Sequence, residues 1–150
     1  MILIPVLILQ IFLLPYAATV MMNYWQTSSQ TIALQDASTH VGSLIQQLYF
    51  FLNNPSVSSG TLTNVLGLSP YIGNHAYTGN ATLVPVSGSN SGKVLELTLK
   101  LMGSTISTTT PITLGQNTKW TNSTFMSNST TASIIAYKDS NSTIWLSFKS

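Results

Sequence analysis

The sequence predicts an α+β fold, in which a long N-terminal hydrophobic α-helix is followed by a small antiparallel β-sandwich. Residues 1–35 carry no charged side chain, and residues 1–22 are almost entirely apolar. Residues 26–53 then have the period of an amphipathic helix. Residues 56–150 are rich in Ser, Thr and Asn and alternate as β-strands do. We therefore expect one helix over residues 1–53 and a β domain over residues 56–150.

The apolar segment, residues 1–22, is long enough to span a membrane, for which about 20 residues suffice. Only Pro5, Gln10, Pro15 and Thr19 interrupt it. Pro15 removes an interior hydrogen bond, so a bend is expected there. A helix that is apolar on all sides lies either in a membrane or at the centre of a large assembly.

The amphipathic part of the helix carries a narrow apolar seam. Its members are alternately three and four residues apart and are widened by two neighbours: Leu34, Ala37, Val41, Leu44, Leu48 and Phe51, with Ile45 and Leu52. Pro55 ends the helix, because the residue before a proline disfavours the α conformation. The whole helix would be roughly 75–80 Å long at about 1.5 Å per residue, far more than a bilayer core of about 30 Å. The seam must therefore pack elsewhere, and the chain's own β domain is the nearest candidate.

The β domain shows strand and turn signals at intervals of about a dozen residues, typical of an immunoglobulin-like sandwich of six or seven strands. Residues 93–102 are the clearest strand, since leucines alternate with polar residues. A loop at residues 87–92 joins it to a strand near residues 77–86. Pro111 makes residues 104–114 an edge strand. Further strands at 133–138 and 143–148 flank a hairpin turn.

Composition and charge exclude several classes of function. There are five lysines, no arginine and no cysteine, and the lysines are spread over the second half of the chain. Nucleic-acid binding needs clustered basic residues, so that partner is excluded. Asp36 and His40 share one helix face but lack a third metal ligand, and a hydrogen bond between them is expected. Because no catalytic or phosphate-binding motif occurs either, we predict neither an enzyme nor a metal or cofactor site.

Four N-glycosylation sequons lie in the β domain, so covalent N-glycans are the one expected modification. Their acceptors are Asn80, Asn122, Asn128 and Asn141. Three of the four fall in predicted loops or turns, where a glycan would shield exposed strand edges.

Aromatic residues of the β domain have two possible roles. Trp120, Trp145, Tyr71, Tyr77 and Tyr137 are consistent with a sugar-binding face or with the sandwich core and subunit packing. The sequence leaves both interpretations open.

An apolar helix that turns amphipathic before a Ser/Thr-rich β domain resembles the archaeal type IV pilin superfamily, including adhesion pilins and, more distantly, archaellins. Bacterial type IV pilins usually carry glutamate at the fifth mature position, whereas Pro5 stands here, which favours the archaeal branch. The resemblance implies a class III signal peptide that a prepilin peptidase removes, and the abrupt apolar start fits such a mature form. It also implies insertion in the membrane before assembly by the pilus machinery.

On this resemblance the chain would be the structural subunit of an extracellular, glycosylated adhesion pilus, a helical homopolymer that attaches to host or environmental surfaces. Residues 1–25 would form the filament core and residues 26–53 would join it to the outer β domain. The assembly core is predicted to contain Ile2, Leu3, Ile4, Val6, Leu7, Ile8, Leu9, Ile11, Phe12, Leu13, Leu14, Val20 and Met21. Two alternatives stay open: an archaellin of a motility filament, and a monomeric membrane-anchored surface module that binds sugar or protein.

Overall fold

The computed structural model describes residues 3–87 and 92–150, and the predicted loop at 87–92 therefore falls mostly outside the described residues. One helix, α1 (Leu3–Leu52), precedes eight strands. The strands are β1 (Gly60–Val65), β2 (Tyr77–Pro85), β3 (Lys93–Leu101), β4 (Ser107–Leu114), β5 (Thr118–Trp120), β6 (Thr124–Met126), β7 (Ser133–Lys138) and β8 (Ile144–Lys149).

Two four-stranded sheets form the β domain, with strand orders β1-β7-β8-β5 and β4-β3-β2-β6. All pairings are antiparallel except that of β5 with β8, which is parallel. The α+β fold with a β-sandwich-like domain is thus confirmed. The described strands exceed the predicted six or seven, because the three-residue strands β5 and β6 are too short to show an alternating pattern.

The longer strands follow the predicted alternation. The leucines of β3 are fully buried, and β4 lies at the edge of its sheet, as Pro111 predicted. In the hairpin between β7 and β8, the Asp139 carboxylate accepts hydrogen bonds from the backbone N–H groups of Asn141 and Thr143, both at 2.9 Å. This local network fixes the turn where the sequence placed it.

The C-terminal part of α1 packs against the β domain, mainly on β4 and β3 and also on β7 and β1. Since β1 and β4 are edge strands of different sheets, the helix covers the open side of the sandwich. Six buried helix positions lie alternately four and three residues apart: Leu34, Ser38, Val41, Ile45, Leu48 and Leu52. Gly42 and Tyr49 are buried beside them. The seam therefore finds its partner within the chain.

Phe51, which the sequence placed in this seam, is 59% exposed, so that assignment is wrong. A straight helix turns by about 20° for every seven residues relative to a strict heptad repeat. The series Ala37, Leu44, Phe51 therefore drifts off the buried face: the first two are half-buried and the third points away. Leu52 stays on the buried face because it follows Leu34 after five full turns.

Small residues allow the helix to approach β4 closely. Ser38 is buried, and its hydroxyl donates to the hydroxyl of Thr110 at 2.6 Å. A Cβ added at Gly42 would stand 3.4 Å from the side chain of Ile112, already in contact. The sequence pattern gave no reason to place Ser38 inside, because its partner lies on a distant strand.

The end of the helix is held by a buried lysine. Lys138 is only 4% exposed, and its ammonium group donates to the backbone carbonyls of Asn54 at 3.2 Å and Val57 at 2.6 Å. The strand β7 thereby fixes the chain where it leaves α1, and a cation near a helix C-terminus is also favoured by the helix dipole.

We expect Thr118→Val to stabilise the β domain by about 1–3 kcal/mol, since a buried unpaired polar group costs that much. Thr118 is fully buried, and among the described residues its hydroxyl has no hydrogen-bond partner. Valine keeps the branched shape without the hydroxyl. Chemical denaturation measures the free energy of unfolding, with Thr63→Val at an exposed position of β1 as the matched control. A destabilised Thr118→Val chain would contradict the prediction.

Candidate functional site

The N-terminal half of α1 is an uncovered apolar surface. Between Ile4 and Trp25 its large apolar side chains are exposed, from 48% at Val6 to 79% at Trp25. The predicted assembly-core residues that the structure describes are all among them: Ile4, Val6, Leu7, Ile8, Leu9, Ile11, Phe12, Leu13, Leu14, Val20 and Met21. Ile2 and the side chain of Leu3 lie outside the described residues.

The boundary between covered and uncovered helix falls near Gln30. Its side-chain nitrogen lies 3.1 Å from the position of a Cβ at Gly73, on the loop between β1 and β2. Leu34 is the first fully buried helix residue in the chain. From residue 4 to 29, every side chain is exposed to solvent.

This surface has the dimensions of a membrane span. Residues 4–25 extend roughly 33 Å at about 1.5 Å per residue, close to the thickness of a bilayer core. None of the most apolar stretch is buried within the chain, and by length and composition it is apolar enough to cross a membrane. Tyr24 and Trp25 stand exposed at its end, the position that interfacial aromatic residues favour. The helix could therefore anchor the chain in a membrane.

All four predicted N-glycosylation acceptors are exposed on the β domain. Asn122, Asn128 and Asn141 lie in loops or turns, whereas Asn80 lies within β2 and points outward. Each amide is sterically accessible from solvent.

Asp36 and His40 do not form the expected pair. The imidazole Nε2–H of His40 donates instead to the backbone carbonyl of Leu66 at 3.0 Å, which ties α1 to the segment after β1. The sequence could not show this acceptor, which lies 26 residues away. Within residues 3–87 and 92–150, no group of three or more His, Asp or Glu residues could hold a metal ion.

The five aromatic residues considered for sugar binding do not form one face. Tyr77 is buried, and its hydroxyl donates to the carbonyl of Ser69 at 2.9 Å; Tyr71 lines a groove beside α1. Trp120 and Trp145 line a separate cleft, and Tyr137 is the register partner of Trp145 across β7 and β8. Trp120 and Trp145 thus share one cavity, whereas Tyr71 and Tyr77 share the groove beside α1.

Asp139 is the ionisable group through which we expect stability to depend on acid pH. The backbone N–H of Thr143 lowers the pKa of its carboxyl, and smaller contributions in the same direction come from Trp145, Asn141 and Lys119. A group whose folded pKa is depressed contributes stability above its unfolded pKa, near 3.8, and loses it as pH falls through the folded value. The denaturation midpoint should therefore stay level from about pH 7 to 5 and fall below about pH 4.

Asp139→Asn removes this titration, so its midpoint should vary less with pH below about 4 than that of the unmodified chain. Glu96→Gln, at an exposed position of β3, is the control. Equal acid dependence in the unmodified chain and in Asp139→Asn would contradict the assignment.

Fold and surface together define a class: a polar β-sandwich-like domain carried on a helix whose free half is apolar on all sides. Comparisons with known protein families, with curated proteins and with solved structures find no match to this chain.

Proposed function

We propose that this chain is the structural subunit of an extracellular archaeal type IV pilus that polymerises through its N-terminal helix and serves adhesion. One observation carries the proposal: the seam of α1 is satisfied by the β domain, while residues 4–25 are exposed and apolar on every side. The chain therefore has an outer part whose apolar seam is already buried and an N-terminal helical part whose apolar surface is uncovered.

Burying the free half of the helix against other copies supplies the driving force for assembly. Removal of apolar surface from water contributes about 25 cal/mol per Å², or roughly 1.5–3 kcal/mol for each large side chain. About a dozen such side chains would give tens of kcal/mol per subunit before the entropy cost of association. A contact between copies that does not close on itself generates a helical filament.

The uncharged helix also suits the steps before assembly. Residues 1–35 carry no charged side chain, so the same segment can reside in a membrane and then pass into a filament core without moving a charged side chain through hydrocarbon. The partners in this proposal are other copies of the chain, a prepilin peptidase, the membrane pilus machinery and the host or environmental surface that the filament meets.

A monomeric membrane-anchored surface protein is the second candidate. It is favoured by the internal packing of the seam, because a single chain then needs only a bilayer to cover its remaining apolar surface. The two candidates differ in what surrounds residues 4–25: other helices in a filament, or lipid around an isolated span.

Electron microscopy of material sheared from cells that express the chain tests the proposal. We expect filaments whose subunit, identified by mass spectrometry, is this chain and carries added sugar mass. Recovery of the chain only as detergent-extracted monomers would instead establish the membrane-anchored alternative. Motility assays on cells lacking the chain distinguish an archaellin, since only loss of that filament stops swimming.

A further inference from the structure

A cleft opens where β2 of one sheet approaches β5 and β8 of the other. It is lined by Thr82, Lys119, Trp120, Asn122 and Trp145. Its volume is about 450 Å³. This lies within the range of roughly 300–1,000 Å³ that is usual for small-ligand sites.

Both indole rings in the cleft are held by other residues. The ring of Trp120 packs edge-on against Phe148, with centroids 5.0 Å apart. Trp145 donates from its ring N–H to the Asp139 carboxylate at 3.4 Å, and the Lys119 ammonium lies 4.7 Å from the Trp145 ring centroid. Both tryptophans are half-buried, and the ring N–H of Trp120 is buried without a hydrogen-bond partner among the described residues. Fixed, half-buried indoles suit a ligand with apolar C–H faces and hydroxyl groups, because little side-chain freedom is lost on contact.

Asn122 both lines this cleft and is the acceptor of the sequon Asn122-Ser123-Thr124. The hydroxyl of Ser123 accepts from the backbone N–H of Phe148 and donates to the carbonyl of Thr121, each at 2.8 Å. The backbone N–H of Thr121 in turn donates to the carbonyl of Leu146 at 2.9 Å. The residues on either side of Asn122 are thus hydrogen-bonded to β8, and Asn122 itself lines the cleft together with the two tryptophans.

We propose that an N-glycan on Asn122 folds back into this cleft, its first sugars lying against Trp120 and Trp145. Transfer joins Nδ2 of Asn122 to the anomeric carbon of a sugar. The bond from that carbon to the phosphate of a lipid-linked oligosaccharide donor breaks, the lipid phosphate leaves with the bonding electrons, and the amide loses a proton. The inference rests on the proposed function, since it needs a chain that is exported to where glycans are attached.

The cleft favours an attached glycan over a free sugar for two reasons. A covalent link gives the sugar an effective concentration that reaches the millimolar range, so weak contacts with the indoles suffice. A glycan on Asn122 would also stand in the cleft and exclude a second ligand. The acceptor Asn128 provides the contrast, because the depression beside it has only aliphatic and polar lining residues.

The test compares sequon variants of the full-length chain, produced in a glycosylating host and purified in detergent. Thr124→Val removes the Asn122 sequon while keeping an exposed β-branched residue, and Thr130→Val does the same for Asn128. Glycopeptide mass spectrometry establishes which acceptors are occupied. We expect Thr124→Val, but not Thr130→Val, to increase acrylamide quenching of tryptophan fluorescence in a Trp25→Phe background.

A double-mutant cycle then tests contact between the glycan and the cleft. Trp145→Ala should lower the Tm at least twice as far in the glycosylated chain as in the Thr124→Val chain. If Trp145→Ala folds poorly, Lys119→Met is the second variant, because Lys119 is exposed and also lines the cleft. Its Tm loss should likewise be at least twice as large in the glycosylated chain as in the Thr124→Val chain. Equal Tm losses in both backgrounds, or an Asn122 without glycan, would overturn the inference.

These outcomes are independent of the filament experiment. Filaments built from chains with a bare Asn122 would refute the glycan inference alone. A glycan coupled to Trp145 in a chain that forms no filaments would refute the proposed polymerisation alone.

Discussion

Leu9→Asp is expected to abolish filaments while leaving the β domain folded. Leu9 is 61% exposed in the single chain and lies within the segment proposed for the filament core. An aspartate there would place an unpaired carboxylate in an apolar interior, which costs several kcal/mol in every subunit. Because every subunit in the filament makes the same contact, every subunit would bear this free-energy cost.

The measurement is filament yield by negative-stain microscopy, together with the amount of subunit in the membrane fraction. Leu9→Met keeps an apolar side chain of similar volume and should form normal filaments. If the subunit is found in the membrane fraction but forms no filaments, then assembly has failed and membrane insertion has not. Normal filaments from Leu9→Asp would remove the proposed role of the helix.

Ile45→Ala is expected to destabilise the β domain by about 2–5 kcal/mol, the usual cost of a cavity left by a buried large aliphatic residue. Ile45 is fully buried where α1 covers the sandwich. Phe51, on the same helix but pointing away from the β domain, is the matched control. Phe51→Ala should change the free energy of unfolding by no more than about 0.5 kcal/mol, as exposed substitutions usually do.

Chemical denaturation of the detergent-solubilised monomer, followed by near-ultraviolet circular dichroism, gives both values without contributions from neighbouring subunits. A loss at Phe51→Ala as large as that at Ile45→Ala would show that the helix packs with the rotation that the heptad pattern first indicated. A small loss at Ile45→Ala would show that the helix contributes little to the stability of the sandwich.

Local patterns predicted most of the fold. The alternating leucines of β3 fix which face is buried, because side chains in a strand alternate strictly between two faces. Pro111 predicted an edge strand because proline cannot donate to the ladder, and Asn54-Pro55 predicted the helix end. The sequence analysis placed no strand at β1, and the short strands β5 and β6 escaped prediction because three residues are too few to establish a period.

The candidate site also has parts that the sequence predicted and parts that only the structure shows. The apolar half of α1 was evident from the sequence, because its uncharged composition needs no partner to be recognised. The cleft was not evident: Thr82 and Trp145 are 63 residues apart in the chain, and only the approach of two sheets brings them together. The contact of His40 with Leu66 was missed for the same reason.

By itself the sequence determined that a helix precedes a β domain, that the first part of the helix is uncharged, where the sequons lie and that the outer domain is polar. These properties depend on residue type and on spacing within a few residues. The tertiary structure decided which side of α1 is buried, why Phe51 is exposed while Ser38 is not, and which aromatic residues meet. Those outcomes depend on helix rotation and sheet packing, where a drift of about 20° per seven residues is enough to turn a side chain from the core to solvent.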